Sequence, residues 1–165
     1  TEFLYSLPDV FDEQFPNRAN AFQFDTDTRN IFICADSKRL LSAFLELLSN
    51  AAEADNSCGS IQIHSHVNAC GHTVTVSVTG KGSLSEINPS EMQTNPLIDA
   101  DAPLTAQLST PFFSTKENHA GLGLSIVAQV CHTHHAGFEL YSRNGFTTAG
   151  ITFPILAMDD MRNTI

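Results

Sequence analysis

Positive charge is scarce in this chain: eight Lys and Arg stand against 18 Asp and Glu, a formal charge of −10. A phosphate backbone is bound through concentrated positive charge, so the composition argues against a nucleic-acid partner. Long apolar runs are missing too. No stretch approaches the roughly 18–20 residues that span a bilayer, which argues against direct membrane contact. There is no CxxC pair; Cys34, Cys58, Cys70 and Cys131 are irregularly spaced, and a chain of 165 residues does not need disulfides to hold its core. They read as reduced thiols of a cytoplasmic protein. The chain also opens at Thr1 without a methionine, which reads as a piece of something longer. Internal repeats and low-complexity tracts are absent. What is present is 42% hydrophobic residues, enough for one domain over 1–165 that buries about two-thirds of its unfolded surface.

Residues 1–20 place Leu4, Leu7, Val10, Phe11 and Phe15 among acids, a short amphipathic segment that docks on the body. Ala21–Phe24 and Ile31–Cys34 are apolar runs around a polar turn, which predicts two strands. From Asp36, a good N-cap, the residues Leu40, Leu41, Phe44, Leu47, Leu48 and Ala51 recur on one face of a helix. Ser60–Val67 alternates strictly, and Val74, Val76 and Val78 alternate again after a turn at Asn68–Gly71, which predicts a hairpin. Gly80–Ala120 holds two glycines and four prolines with little periodicity, as expected of a lid or binding loop with a short helix inside it. Leu124, Ile126, Val127, Val130 and Cys131 fit another helix, ending near Ala136–Gly137. Strands follow at Phe138–Ser142 and Ile151–Ile155. The fold class is an α/β sandwich.

Two places can carry chemistry. On the helix from Asp36, Glu46 and Asn50 are four residues apart and share a face away from the apolar stripe, so a carboxylate and an amide are adjacent. An ordinary solvated helix face gives the same pattern. Gly121-Leu-Gly-Leu124 runs straight into a helix, where unpaired N–H groups and the helix dipole attract phosphate. A plain loop-to-helix turn fits it as well.

The order of four segments adds to this: Glu46-Leu-Leu-Ser-Asn50-Ala-Ala-Glu-Ala54, Thr79-Gly-Lys-Gly82, Pro111-Phe-Phe-Ser-Thr-Lys116 and Gly121-Leu-Gly-Leu-Ser-Ile-Val127. Together they resemble the N, G1, F and G2 boxes of sensor histidine kinase catalytic domains, a branch of the GHKL ATPase superfamily shared with DNA gyrase, HSP90 and MutL. Ala35-Asp-Ser-Lys-Arg-Leu40, His135-Ala-Gly137 and Gly150-Ile-Thr-Phe153 extend the resemblance over nearly the whole chain. It implies the Bergerat fold: a mixed, mostly antiparallel sheet of about five strands with about three helices on one face, and a lid over roughly 83–120. It implies ATP and Mg2+ as cofactors. Asn50 would supply an oxygen to a Mg2+ that bridges the phosphates, and Glu46 would polarise water or the metal's hydration shell. The amides of Gly121, Leu122, Gly123 and Leu124 would cradle phosphate, with Lys116 near the γ-phosphate. Ala54, Val78, Thr79, Gly80 and Gly82 would line the adenine end. The implied partners are a dimerisation and histidine phosphotransfer domain and, through the parent protein, a response regulator.

The chain departs from that family at the G1 box, where an Asp normally accepts from the adenine amino group. Here the position is Val78. A hydrogen bond to a charged acceptor contributes about 1.5–3 kcal/mol, so adenine binding is expected to be roughly ten- to hundredfold weaker, with less discrimination against guanine. Thr79 offers compensation through water. His119-Ala120 replaces the Gly-Thr common before the glycine box, which restricts the lid backbone. There is no His-Glu or His-Asp pair, the mark of the phospho-accepting helix, so that domain is expected elsewhere. A nucleotide-independent pseudokinase, used for docking, signalling or phosphotransfer, is the alternative. A third reading comes from the seven histidines. His64 and His66 share a strand face near Cys70 and His72, and His132, His134 and His135 sit near a helix end, but the spacings match no standard zinc module.

Overall fold

In the computed structural model of the chain, described over residues 2–16, 21–26, 31–54, 60–84, 104–110 and 121–156, the elements in order are α1 (Glu2–Gln14), β1 (Ala21–Thr26), α2 (Ser37–Ala54), β2 (Ser60–Val67), β3 (Thr73–Lys81), α3 (Leu104–Leu108), α4 (Gly123–Thr133), β4 (Gly137–Arg143) and β5 (Phe146–Pro154). Asp36 caps α2: its Oδ1 accepts the N–H groups of Lys38 (3.0 Å) and Arg39 (3.1 Å), which satisfies two donors that the first turn leaves unpaired. The apolar stripe then buries Leu40, Phe44, Leu47 and Leu48.

The strands pair in the order β1-β2-β3-β5-β4. β1 and β2 are parallel, and the other three pairings are antiparallel. The parallel pair needs a crossover, and α2 supplies it. Alternation along the strands sends Ile61, Ile63, Val74, Val76, Val78, Ile151 and Phe153 into one core with α1, α2 and α4, which is the mixed sheet with helices on one face. The amphipathic segment at the start of the chain is the helix α1. It buries Leu4, Leu7 and Phe11 at helical spacing, and Phe11 meets Phe22 of β1 edge-on at 5.8 Å.

The second predicted strand is a correction. Residues 31–36 carry no strand pairing; a single backbone bond, from Leu156 N–H to Phe32 O at 2.9 Å, fixes this stretch to the end of β5. Ile31, Ile33 and Ala35 still point inward in alternation. Alternation reports one buried side and not a hydrogen-bonded neighbour. The strand ends also move: β3 runs on through Gly80 to Lys81, and β5 begins at Phe146 instead of Ile151. Most of the predicted lid, including Lys116 and the Pro111–Thr115 run, lies outside the described residues, as do His119 and Ala120; α3 is the short helix within that stretch.

Candidate functional site

Glu46 and Asn50, one turn apart on α2, face the first residue of α4. A Cβ placed on Gly123 would lie 2.7 Å from Glu46 Oε2 and 3.6 Å from Asn50 Nδ2. The carboxylate therefore rests against the backbone of the glycine turn, and only a residue without a side chain leaves it there. Burial, joined by repulsion from Glu53 a further two turns along, raises the Glu46 carboxyl above the usual carboxylate range. At that same point Gly121 takes φ +66 and Leu122 stands at the N-cap of α4 without a side-chain hydrogen bond. The leading N–H groups of an 11-residue helix are thus left without a side-chain cap, beside a carboxylate and an amide. An anion with a hard cation fits such a place: the N–H groups face the anion, and carboxylate and amide oxygens suit the cation.

The G1 segment lies next to Asn50, under the last turn of α2. Gly80 is a strand residue packed under the helix, so close that a Cβ would meet the Ala51 Cβ at 2.7 Å. Gly82, at φ +145, brings its Cα next to Ala54, whose Cβ would be 3.1 Å from a Cβ at 82. Val78 faces the helices and is 2% exposed, level with Ile63 on one side and Ala149 on the other. Thr79 points the other way. Its hydroxyl shares a 2.8 Å hydrogen bond with Thr148 on the far face of the sheet. The period of two along a strand decides it: neighbours of an inward Val78 face outward.

Two residues that sequence reasoning missed hold the exit from this segment. Thr147 Oγ1–H donates to Gly82 O (3.1 Å). With its one proton committed, Thr147 accepts from Ser142 Oγ–H (2.7 Å), and Ser142 in turn accepts the Leu84 N–H (2.9 Å). This directional chain ties residues 82–84 to the β4–β5 hairpin. The signal for it was Asn144-Gly145, a pair that takes positive φ at both positions (54° and 79°) and closes a two-residue hairpin turn. Reading that turn puts Thr147 inside β5, opposite Gly80.

A further tie joins the two helices at their other ends. Asp36 N–H donates to His134 Nε2 at 2.9 Å while His134 Nδ1–H donates to Val130 O at 2.7 Å, so the two bonds fix the orientation of the ring. The zinc reading of the histidines finds no larger cluster: among the described residues no group of three or more His, Cys, Asp or Glu is placed to hold a metal ion. Among the same residues no helix is long and apolar enough to cross a membrane.

Comparison with known proteins agrees with this fold. The family model for histidine kinase-, DNA gyrase B- and HSP90-like ATPases matches residues 35–157. A sensory histidine kinase/phosphatase NtrB of Rhizobium leguminosarum bv. phaseoli is 33% identical over 127 residues, 74% of this chain and 32% of that protein. Sensor histidine kinase ZraS of Escherichia coli (strain K12) is 28% identical over 123 residues, 74% of this chain and 22% of that protein. This chain thus spans about a third or less of the length of these relatives. Among solved structures, the nucleotide-free catalytic domain of histidine kinase ThkA superposes with a TM-score of 0.69 at 27% identity, covering 93% of this chain and 90% of that one. ThkA in complex with the response regulator protein TrrA matches with a TM-score of 0.67 at 25% identity, over 94% of this chain and 40% of that one.

Proposed function

The chain belongs to the histidine kinase-, DNA gyrase B- and HSP90-like ATPase family, and from that membership we propose that it is the ATP-binding catalytic domain of a two-component sensor histidine kinase, donating the γ-phosphate of ATP to a histidine on a separate dimerisation domain. The observation that carries this reading is the convergence of Glu46 and Asn50 on the uncapped start of α4 at Gly123. The backbone N–H groups at Gly121–Leu124 would hold the phosphates, and the Asn50 amide oxygen would hold Mg2+, which would supply the charge that neutralises them. Glu46 would orient water in the metal's shell, and Lys116, which lies outside the described residues, is the expected cation for the γ-phosphate. The lack of side chains at Gly80 and Gly82 lets the strand close against Ala51 and Ala54 at the C-terminal end of α2, and the base would lie beside that contact. Phosphoryl transfer of this kind rests on positioning and electrostatics, which a rigid helix pair supplies. Need for ATP places the domain on the cytoplasmic side, and a response regulator receives the phosphate further on.

One observation favours a second reading. Val78 presents no acceptor to a base and is buried between apolar neighbours, which suits a pseudokinase that keeps the fold for docking. Isothermal titration of the domain with a non-hydrolysable ATP analogue, with and without Mg2+ and with GTP alongside, separates the two. Mg2+-dependent binding that Asn50→Ala abolishes supports the kinase domain. No heat up to millimolar nucleotide, in a domain shown to be folded, selects the pseudokinase.

A further inference from the structure

The face of the sheet opposite the helices carries a second cluster that the nucleotide reading does not use. His64 and His66 project from β2 on that face, and Asp25, the partner of His64 in the β1–β2 register, lies beside them. We propose that His64 and His66 chelate a divalent transition cation of the Zn2+, Cu2+ or Ni2+ class, with Asp25 setting the ring of His64.

Side chains two residues apart on a strand start about 6.6 Å from one another. The two imidazole centres are nevertheless only 5.4 Å apart, with the ring planes tilted by 34°, so the rings lean together. Two imidazoles on one tetrahedral Zn2+, at Zn–N distances of about 2.0–2.1 Å, have ring centres about 5 Å apart. The pair is therefore within a small side-chain adjustment of bidentate geometry. Asp25 Oδ2 accepts the Nδ1–H of His64 at 3.0 Å. That bond selects the tautomer whose Nε2 lone pair is free, and a carboxylate behind a ligating imidazole is the usual outer support of such ligands. The side chains of His64 and Asp25 are 43% and 89% exposed, so an ion reaches the rings from solvent and water fills its other positions. Imidazole donors suit borderline cations over Mg2+ or Ca2+. The chain's charge of −10 draws cations in general. The site uses no residue of α2 or α4, so it stands independently of nucleotide binding.

The test is calorimetric titration of the chelator-treated full chain with Zn2+. One ion is expected per chain. His64→Asn and His66→Asn each abolish the heat, and Asp25→Asn weakens binding by about 10- to 100-fold through the orientation of His64. A Cys34→Ser/Cys70→Ser variant, which removes the exposed thiols among the described residues, retains full affinity. The proposal is overturned if Zn2+ gives no heat to millimolar concentration, if binding survives both histidine substitutions, or if the cysteine variant loses it. Unchanged affinity in Asp25→Asn overturns the role of the carboxylate. All these positions are at least partly exposed, and circular dichroism verifies the fold of each variant.

Discussion

Glu46 illustrates how one side chain couples site and stability. Its carboxyl is held above the ordinary range by burial and by Glu53, so the folded chain binds that proton more tightly than the unfolded chain does. The resulting stabilisation is complete below the unfolded-state value and is lost as the pH rises through the raised folded value. Once the pH exceeds the raised value the carboxylate is thus unfavourable for folding, and Glu46→Gln should raise the melting temperature at pH 7 relative to the parent more than it does near pH 4. A melting series in buffers across that interval reads the sign directly; an equal shift at both ends would show that the carboxyl has no raised value. Val78 poses the complementary question of affinity. Under the kinase reading, Val78→Asp restores an acceptor for an adenine amino group, so an ATP analogue should bind roughly 10- to 100-fold more tightly and better than GTP. The same change buries a carboxylate among Ile63 and Ala149 and lowers stability. Unchanged affinity in a folded variant would mean that no base lies against this strand.

Two glycines contrast the elements that meet at the site. Gly80 is pressed against helix α2, and a Cβ there would run into the Ala51 Cβ, Cα and O, all held by the helix. Gly80→Ala should therefore cost about 1–3 kcal/mol in urea unfolding, since helix and sheet must separate. At Gly123 a Cβ would crowd the far end of the Glu46 side chain, with Asn50 Nδ2 at ordinary contact distance. Gly123→Ala should unfold close to the parent midpoint and yet displace the carboxylate, so its effect falls on nucleotide affinity. These elements were legible to different degrees. Helix α2 was plain in the sequence because Asp36 marks its start and the apolar stripe repeats without a break. The convergence on Gly123 was visible only through the order of the four boxes, since neither Glu46-x3-Asn50 nor a GxG turn points to the other. The Ser142–Thr147 chain could not be read from residue types: hydroxyls are common, and register alone puts Thr147 opposite Gly80. Gly150 and two adjacent threonines blur the alternation of β5, which hid its first half. At Ile31–Cys34 the opposite holds: the alternation is clear, but it marks a buried side without a paired strand.

At the scale of the whole molecule, the surplus of acids acts on the fold as self-repulsion. With a net charge of −10 and few exposed ion pairs among the described residues, raising the ionic strength from about 0.01 M to 0.15 M shortens the Debye length from about 30 Å to 8 Å and should raise the melting temperature. A falling or flat melting temperature under NaCl would show that attractive pairs outweigh the repulsion. Topology has a different consequence, for the order of assembly. β2–β3 and β4–β5 are hairpins that close over short turns and form in microseconds once nucleated. The pairing between them, β3 with β5, joins the start of one hairpin's second strand to the end of the other's, across everything that lies between in the chain. Such distant contacts wait for loop closure and come late. Because Gly80 meets Thr147, and α4 reaches α2, only when that central seam has closed, a half-folded chain presents helices and hairpins but no ligand pocket. Capture of nucleotide would then report that the last and slowest step of folding is complete.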